Sequence, residues 1–175
     1  GFGTDLIHKS DEGAVALRLA DATALEAAWQ DMSGRLWQRL QGMLVAEMAS
    51  GGAEVILGLQ NDVQFGPMIL VGLGGVLAEV LDDVVLLPCP VHPERVKERL
   101  KTLKLWPVLE GVRGRPALDV DVLADAAARL SWLAVDAGDA LEELDINPLF
   151  LRSAGEGAVA VDARARLEGQ ASRPK

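Results

Sequence analysis

Two pairs of apolar runs in this chain are joined by connections too short for anything but hairpins. Val55-Ile-Leu-Gly-Leu59 and Pro67-Met-Ile-Leu-Val71 flank a stretch that carries the turn formers Asn61 and Asp62. Near the end, Leu144 to Arg152 and Ala158 to Leu167 flank Ser153-Ala-Gly-Glu-Gly157. A parallel pair needs a crossover of roughly a dozen residues or more, so both pairs read as antiparallel. Strands that arrive as hairpins, with helices between the pairs, define an α+β class. A mostly antiparallel sheet packed by about three helices is expected, rather than a doubly wound parallel sheet.

The helices follow from apolar spacing. Leu25, Ala28, Trp29, Met32, Leu36 and Leu40 form one stripe, behind a cap at Asp21 or at Thr23, with Glu26 completing a capping box in the second case. Trp29 and Trp37 are expected in the core. Pro93 suits the first turn of a helix through about Lys104, with Val96, Leu100 and Leu103 inward. A third helix spans about Asp121 to Val135, on the stripe Leu123, Ala127, Leu130 and Ala134. Ala14–Ala20 and Met43–Ala46 read as further strands, the second one buried, and Leu81–Leu87 as another. The tail from Gly169 is polar and expected to fray.

Charge and length exclude several function classes. The 175 residues carry a net charge of −9, from 26 acids against 17 bases. That field repels nucleic acid, and the densest basic stretch, Arg95 to Lys104, is interrupted by Glu94 and Glu98 at its start. Two histidines and one cysteine leave no His-rich or multi-Cys zinc site. Cys89 lies between two prolines, three residues from His92, which is a weak pattern for a thiol nucleophile. The longest uncharged run, Val63 to Ala78, is interrupted by glycines and a proline, whereas a span needs about 18 predominantly apolar residues. No secretory leader is visible, so a soluble, cytoplasmic protein without membrane contact is expected.

Three constellations carry chemistry. Gly72-Leu-Gly74-Gly75 could bring backbone N–H groups to a phosphate, but Leu77 stands where a dinucleotide fingerprint needs glycine, which favours a tight turn or bulge. In the terminal hairpin, taking Arg152 and Ala158 as the last pair sets the register sum at 152 + 158 = 310. Asn147 then faces residue 163, one step from Asp162. An amide oxygen and a carboxylate on adjacent strands suit Mg²⁺, with room left for phosphate oxygens and water. The alternative is a strand-end Asn and a surface acid. Finally, Glu47 closes an apolar run and Glu54 follows seven residues later. Such acids can accept from an adenine amine or a ribose hydroxyl, although most are simply solvated.

Six motifs stand in a fixed order: His8-Lys-Ser-Asp11, Gln64-Phe-Gly-Pro67, Gly72-Leu-Gly-Gly75, Glu110-Gly-Val-Arg-Gly-Arg-Pro116, Glu143-Leu-Asp-Ile-Asn-Pro-Leu149 and Val161-Asp-Ala-Arg164. Together they resemble the ATP-grasp region of nucleotide-diphosphate-forming acyl-CoA synthetases, which is related to the succinyl-CoA synthetase β chain. The resemblance covers about Gly3 to Leu167. It implies an ATP-grasp C-terminal lobe over residues 1–168, followed by a tail over 169–175. It also implies ATP or ADP and Mg²⁺ as ligands, and interconversion of acyl-CoA, phosphate and ADP with acid, CoA and ATP through an acyl phosphate and a phosphohistidine. Asn147 and Asp162 match the magnesium ligands. Glu47 matches the hinge acid beside adenine, and Glu54 the ribose acid. Asp145 matches the acid near the incoming phosphohistidine, and His8 a proposed phosphoryl carrier. Arg113 and Arg115 lie in a matching motif and could face phosphate.

Two departures qualify that resemblance. Members carry two glycines where this chain has Gly13-Ala14, which would stiffen the loop beside His8. The other nucleotide lobe, with a phosphate-binding lysine, and the CoA-binding domains are expected as partners in the same chain or another subunit. Without them an exposed apolar patch, weak ATP binding and self-association are expected. A regulatory nucleotide-binding module, as in acetyltransferase fusions, is the alternative function.

Overall fold

The computed structural model describes residues 13–36, 38–49, 51–74, 83–104, 106–112 and 114–169. They fall into two compact units, Gly1–Met48 and Ala49–Lys175.

In the first unit, helix α1 spans Ala22–Leu36. Asp21 is its cap, because its Oδ1 accepts from the Ala24 N–H at 2.8 Å, which satisfies one of the free donors of the first turn. Met32 and Leu36 are buried, and Ala14 and Leu36 form a small cluster with Leu40 packed against it. Gly13 has φ +65°, and the Arg35 guanidinium, itself held by Asp31, donates to its carbonyl at 3.1 Å. A glycine is needed there, whereas at position 14 the alanine methyl is fully buried.

Three expectations fail in this unit. Ala14–Ala20 is not a strand: Arg18 takes φ +59°, a left-handed conformation that breaks extended chain. Met43–Ala46 is neither a strand nor buried, since Leu44 is 79% exposed and Val45 65% exposed. Trp29 is half exposed rather than in a core. It lines a shallow apolar cleft with Ala22, Leu25 and Val45. Trp37 lies outside the described residues.

Among the described residues the second unit is a six-stranded sheet with its helices packed on one face. Its strands are β1 (Ala53–Asp62), β2 (Gly66–Leu73), β3 (Val84–Pro88), β4 (Leu141–Leu151), β5 (Ala158–Ala160) and β6 (Ala163–Leu167). The order is β3-β2-β1-β4-β5, with β6 also pairing β4, and every pairing is antiparallel. The described helices are α2 (Pro93–Leu100), α3 (Trp106–Glu110) and α4 (Val120–Ala137), the last followed by a 3-10 turn. The short α3, with Pro107 in its first turn, has no counterpart among the expected helices. α2 stops four residues before the expected end, although Leu103 is still buried.

One face of the sheet is written in alternation. Val55, Leu57 and Leu59 of β1 pair with Leu73, Val71 and Ile69 of β2, and all six are buried. They join Val96, Leu100 and Leu109 and the α4 stripe Leu123, Ala127, Leu130 and Ala134 in one core. Ser131, fully buried on α4, is satisfied: its Oγ accepts from the Val91 N–H at 3.0 Å and donates to the Ala128 carbonyl at 2.6 Å. Directly opposite residues share a face. The residues between the core positions therefore point the other way: Glu54, Ile56, Gly58 and Gln60 on β1, Met68, Leu70 and Gly72 on β2, and Leu86 on β3.

The start of the glycine run belongs to this sheet, with Gly72 in β2 and Gly74 directly after it. Gly72 sits inside β2, where a Cβ would meet Val84 Cγ1 at 2.7 Å. The Gly74 N–H donates to the Glu54 carbonyl at 2.7 Å, so it is not available to a phosphate. Gly75 lies outside the described residues.

Candidate functional site

β4 carries one residue more than β1 can match. Val55 pairs with Leu149 and Leu57 with Ile146, so Asn147 and Pro148 together stand opposite Ile56. That is a β-bulge, a feature that re-aims side chains. It switches the parity of the strand. Leu144 and Ile146 face the core before it, and Leu149 and Leu151 after it. Glu143 and Asp145 are left on the face away from the helices, opposite Gln60 and Gly58.

On the other edge of β4 the register is constant from Glu143 to Leu151 and shifts only beyond Glu143, at Leu141. Leu151 pairs with Ala158 and Ile146 with Ala163, and both pairs sum to 309, one less than expected. The difference arises at the turn: the Arg152 N–H bonds to the Gly157 carbonyl, so the last ladder pair is one residue earlier. With that sum, 309 − 147 = 162, and Asn147 faces Asp162 itself. The Asn147 N–H donates to the Asp162 carbonyl at 3.1 Å, and the Val161 N–H donates to the Pro148 carbonyl at 3.1 Å. This is also the gap that divides β5 from β6.

Both side chains are exposed. Asp162 Oδ1 accepts from the Ala163 N–H at 3.0 Å, which orients the carboxylate. Asp145, two residues before Asn147, is partly buried, and burial pushes its carboxyl up from the usual range. Glu143 repulsion acts in the same direction, Arg164 opposes it, and Asp162 adds a smaller upward push. Arg166 bridges Glu142 and Glu143 at the end of the hairpin.

The other expected site residues are distributed more widely. Glu54 is exposed on β1, level with Phe150, on the same face as Asp145, opposite the core. Glu47 is exposed in the first unit. Arg115 is exposed in the loop after α3, where its N–H bonds to the Val112 carbonyl. That loop turns at Gly111, whose φ is +88° and where a Cβ would meet the Arg115 carbonyl at 2.5 Å. His8 and Arg113 lie outside the described residues. Cys89 is half-buried, and burial pushes its thiol up to about 11. It stays protonated near neutral pH and makes a poor nucleophile.

The sequence reading missed Asp119. It is buried, caps α4 by accepting from the Val122 N–H at 3.2 Å, and accepts from the Gly155 and Gly157 N–H groups at 2.9 and 3.0 Å. One carboxylate thus fixes the turn that sets the Asn147/Asp162 register. An Asp directly before an apolar helical stripe was the available signal for the cap. The two distant turn donors leave no local pattern.

Asn147 and Asp162 offer hard oxygen donors, the type that Mg²⁺ takes. Among the described residues no group of three or more His, Cys, Asp or Glu is placed to hold a metal ion. A cation here would therefore rely on the amide oxygen, one carboxylate and oxygens from outside the protein. That is the usual way Mg²⁺ is held, through one or two protein groups plus substrate phosphates.

An antiparallel sheet with its core and described helices on one face, acids on the other, and a bulge at a pair of oxygen donors defines the class: an α+β lobe. The profile of the ATP-grasp domain matches residues 2–167. The chain is 36% identical over 169 residues to the acetate–CoA ligase [ADP-forming] II subunit beta of Pyrococcus furiosus, covering 94% of this chain and 72% of that one. It is 40% identical over 167 residues to a trans-feruloyl-CoA synthase of an unknown prokaryotic organism, covering 92% of this chain but 23% of that one. Among solved structures, a dinucleotide forming acetyl-coenzyme A synthetase of Ca. Korarchaeum cryptofilum superposes with a TM-score of 0.84 at 31% identity. It covers 95% of this chain and 74% of that one. That structure holds coenzyme A and Mg-AMPPCP, with its phosphohistidine segment pointing towards the nucleotide binding site. This chain belongs to the ATP-grasp family of ADP-forming acyl-CoA synthetases. Among the described residues no helix is long and apolar enough to cross a membrane.

Proposed function

We propose that this chain is the nucleotide- and Mg²⁺-binding part of an ADP-forming acyl-CoA synthetase, which interconverts acyl-CoA, ADP and phosphate with the free acid, CoA and ATP. The observation that carries the reading is the opposition of Asn147 and Asp162 at the bulge of β4. In this role the Asn147 amide oxygen and the Asp162 carboxylate hold Mg²⁺, whose charge offsets that of the phosphates. Glu47 and Glu54 accept hydrogen bonds from adenine and ribose. Asp145, whose carboxyl burial pushes up from the usual range, stands where a phosphohistidine segment would arrive. His8, Arg113 and Arg115 are candidates for phosphoryl contacts.

The relatives support a division of labour. The chain spans 72% of a β subunit but 23% of the trans-feruloyl-CoA synthase. The remaining lobe, the CoA site and the phosphohistidine are assigned to other domains or another subunit. The acidic surface of this part agrees with that assignment, because phosphoryl transfer also needs positioned cations. The test is substitution of Asn147→Ala and of Asp162→Ala in the intact protein. Each is expected to abolish nucleotide-dependent turnover while leaving the melting temperature unchanged. Wild-type turnover in both variants would overturn the assignment.

A further inference from the structure

Gly58 is a glycine that no steric contact among the described residues requires. It lies in the middle of β1, with Leu70 of β2 opposite on one side and Asp145 of β4 on the other. Its φ is not positive. Among the described residues, a Cβ built there would meet Leu70 Cβ at 3.7 Å and the Leu144 carbonyl at 3.8 Å, which are ordinary contacts. Gly72, on the same face, is different, because its Cβ would strike Val84 Cγ1 at 2.7 Å and the Asp83 carbonyl at 2.9 Å. The fold itself requires glycine at 72.

A glycine in a strand interior weakens the strand through conformational entropy and the loss of packing. Where the described residues impose no steric demand, close approach by a ligand is one of the roles a strand glycine serves. The approach comes from the face opposite the core, because Leu57 and Leu59 on either side of Gly58 point into the core. Along that face Glu54, the Asn147/Asp162 bulge and Asp145 follow in order, and Gly58 is level with Asp145. From Glu54 to Gly58 the strand advances about 13 Å at roughly 3.3 Å per residue. That length carries an extended nucleotide from its sugar to its terminal phosphate, with the bulge between. Arg164, opposite Asp145 on β6, supplies a cation at the same level.

We propose that Gly58 is the clearance beneath the terminal phosphoryl group of a nucleoside triphosphate, making it a specificity-determining position for triphosphate over diphosphate. The inference rests on the nucleotide reading above. A side chain at 58 would fill the volume that the γ-phosphate occupies above β1, while the α- and β-phosphates nearer the bulge would be spared.

The test compares Gly58→Ala and Gly58→Val with the wild type in the intact protein. Calorimetric titration gives the affinities for Mg-ADP and Mg-AMPPCP, and thermal denaturation reports the fold. Gly58→Val is expected to melt at or above the wild-type temperature. It should lose about tenfold or more in Mg-AMPPCP affinity, through overpacking of the bound phosphate, with less than about threefold change for Mg-ADP. Gly58→Ala should show the same selectivity at smaller size, and Gly72→Ala should lower the melting temperature. Equal loss for both nucleotides, or no loss for either, overturns the clearance role while wild-type binding leaves the nucleotide reading standing. A wild type that binds neither nucleotide overturns both.

Discussion

The two hairpins of the sheet use the same antiparallel pairing and differ at one point. β1 and β2 pair without interruption from Val55↔Leu73 to Asp62↔Gly66. β4 takes in an extra residue at Asn147-Pro148, and its return strand is divided there into β5 and β6. Their turns differ too. Asp62 ties its own turn, its Oδ1 accepting from the N–H groups of Gln64 and Phe65 at 2.8 and 2.9 Å. The second turn is tied from outside by Asp119, more than thirty residues away. An unbroken ladder provides stability and leaves no side chain specially aimed. A broken one gives up pairing at one place and gains a pair of oxygen donors on an accessible surface. Its register then has to be fixed by something other than the ladder.

Breaking the regular hairpin should have the largest effect on the fold. Leu57 is 1% exposed and sits beneath α4 in the core. Leu57→Ala should cost about 2–5 kcal/mol in chemical denaturation, from lost burial plus the cavity left behind. Breaking the anchor of the second hairpin comes next. Asp119→Ala removes a helix cap and leaves two turn N–H groups without their acceptor, for about 1–3 kcal/mol. Hydrogen exchange should accelerate at Gly155 and Gly157 in that variant, and nucleotide binding should weaken as the Asn147/Asp162 register loosens. The smallest effect is expected for Asp62→Ala, about 0.5–1 kcal/mol by thermal denaturation, because that turn is exposed and its ladder is otherwise intact. It should leave nucleotide binding unchanged, which separates the two turns.

The parts of the fold that could be read from the sequence are those in which the signal is local. Alternation and short connections gave both hairpins, and apolar spacing gave α1, α2 and α4. The Asn147/Asp162 opposition was legible to within one residue, and the error came from counting Arg152 as a ladder residue when its N–H closes the turn onto Gly157. The failures have a common cause. Ala14–Ala20 and Met43–Ala46 are apolar enough for strands, but apolarity does not specify a pairing partner. Leu17 and Leu44 are exposed, at 64% and 79%. Asp119 was invisible because two of its three donors come from a distant turn. The bulge was hidden because one extra residue in β4 appears only when β1 is laid beside it. Gly58 was passed over because a lone glycine in an apolar run looks like any other until its surroundings are known.

The magnesium role of the broken hairpin is open to one direct measurement. The affinity of the intact protein for ADP can be titrated with and without Mg²⁺, for the wild type and for the Asn147→Ala/Asp162→Ala double variant. If the hairpin holds the cation, Mg²⁺ should strengthen ADP binding by about tenfold or more in the wild type, as expected for an ion bridging carboxylate and phosphate. It should have no effect in the double variant, whose melting temperature should match the wild type. An equal dependence on Mg²⁺ in the two proteins would contradict the assignment of Asn147 and Asp162 as the metal site.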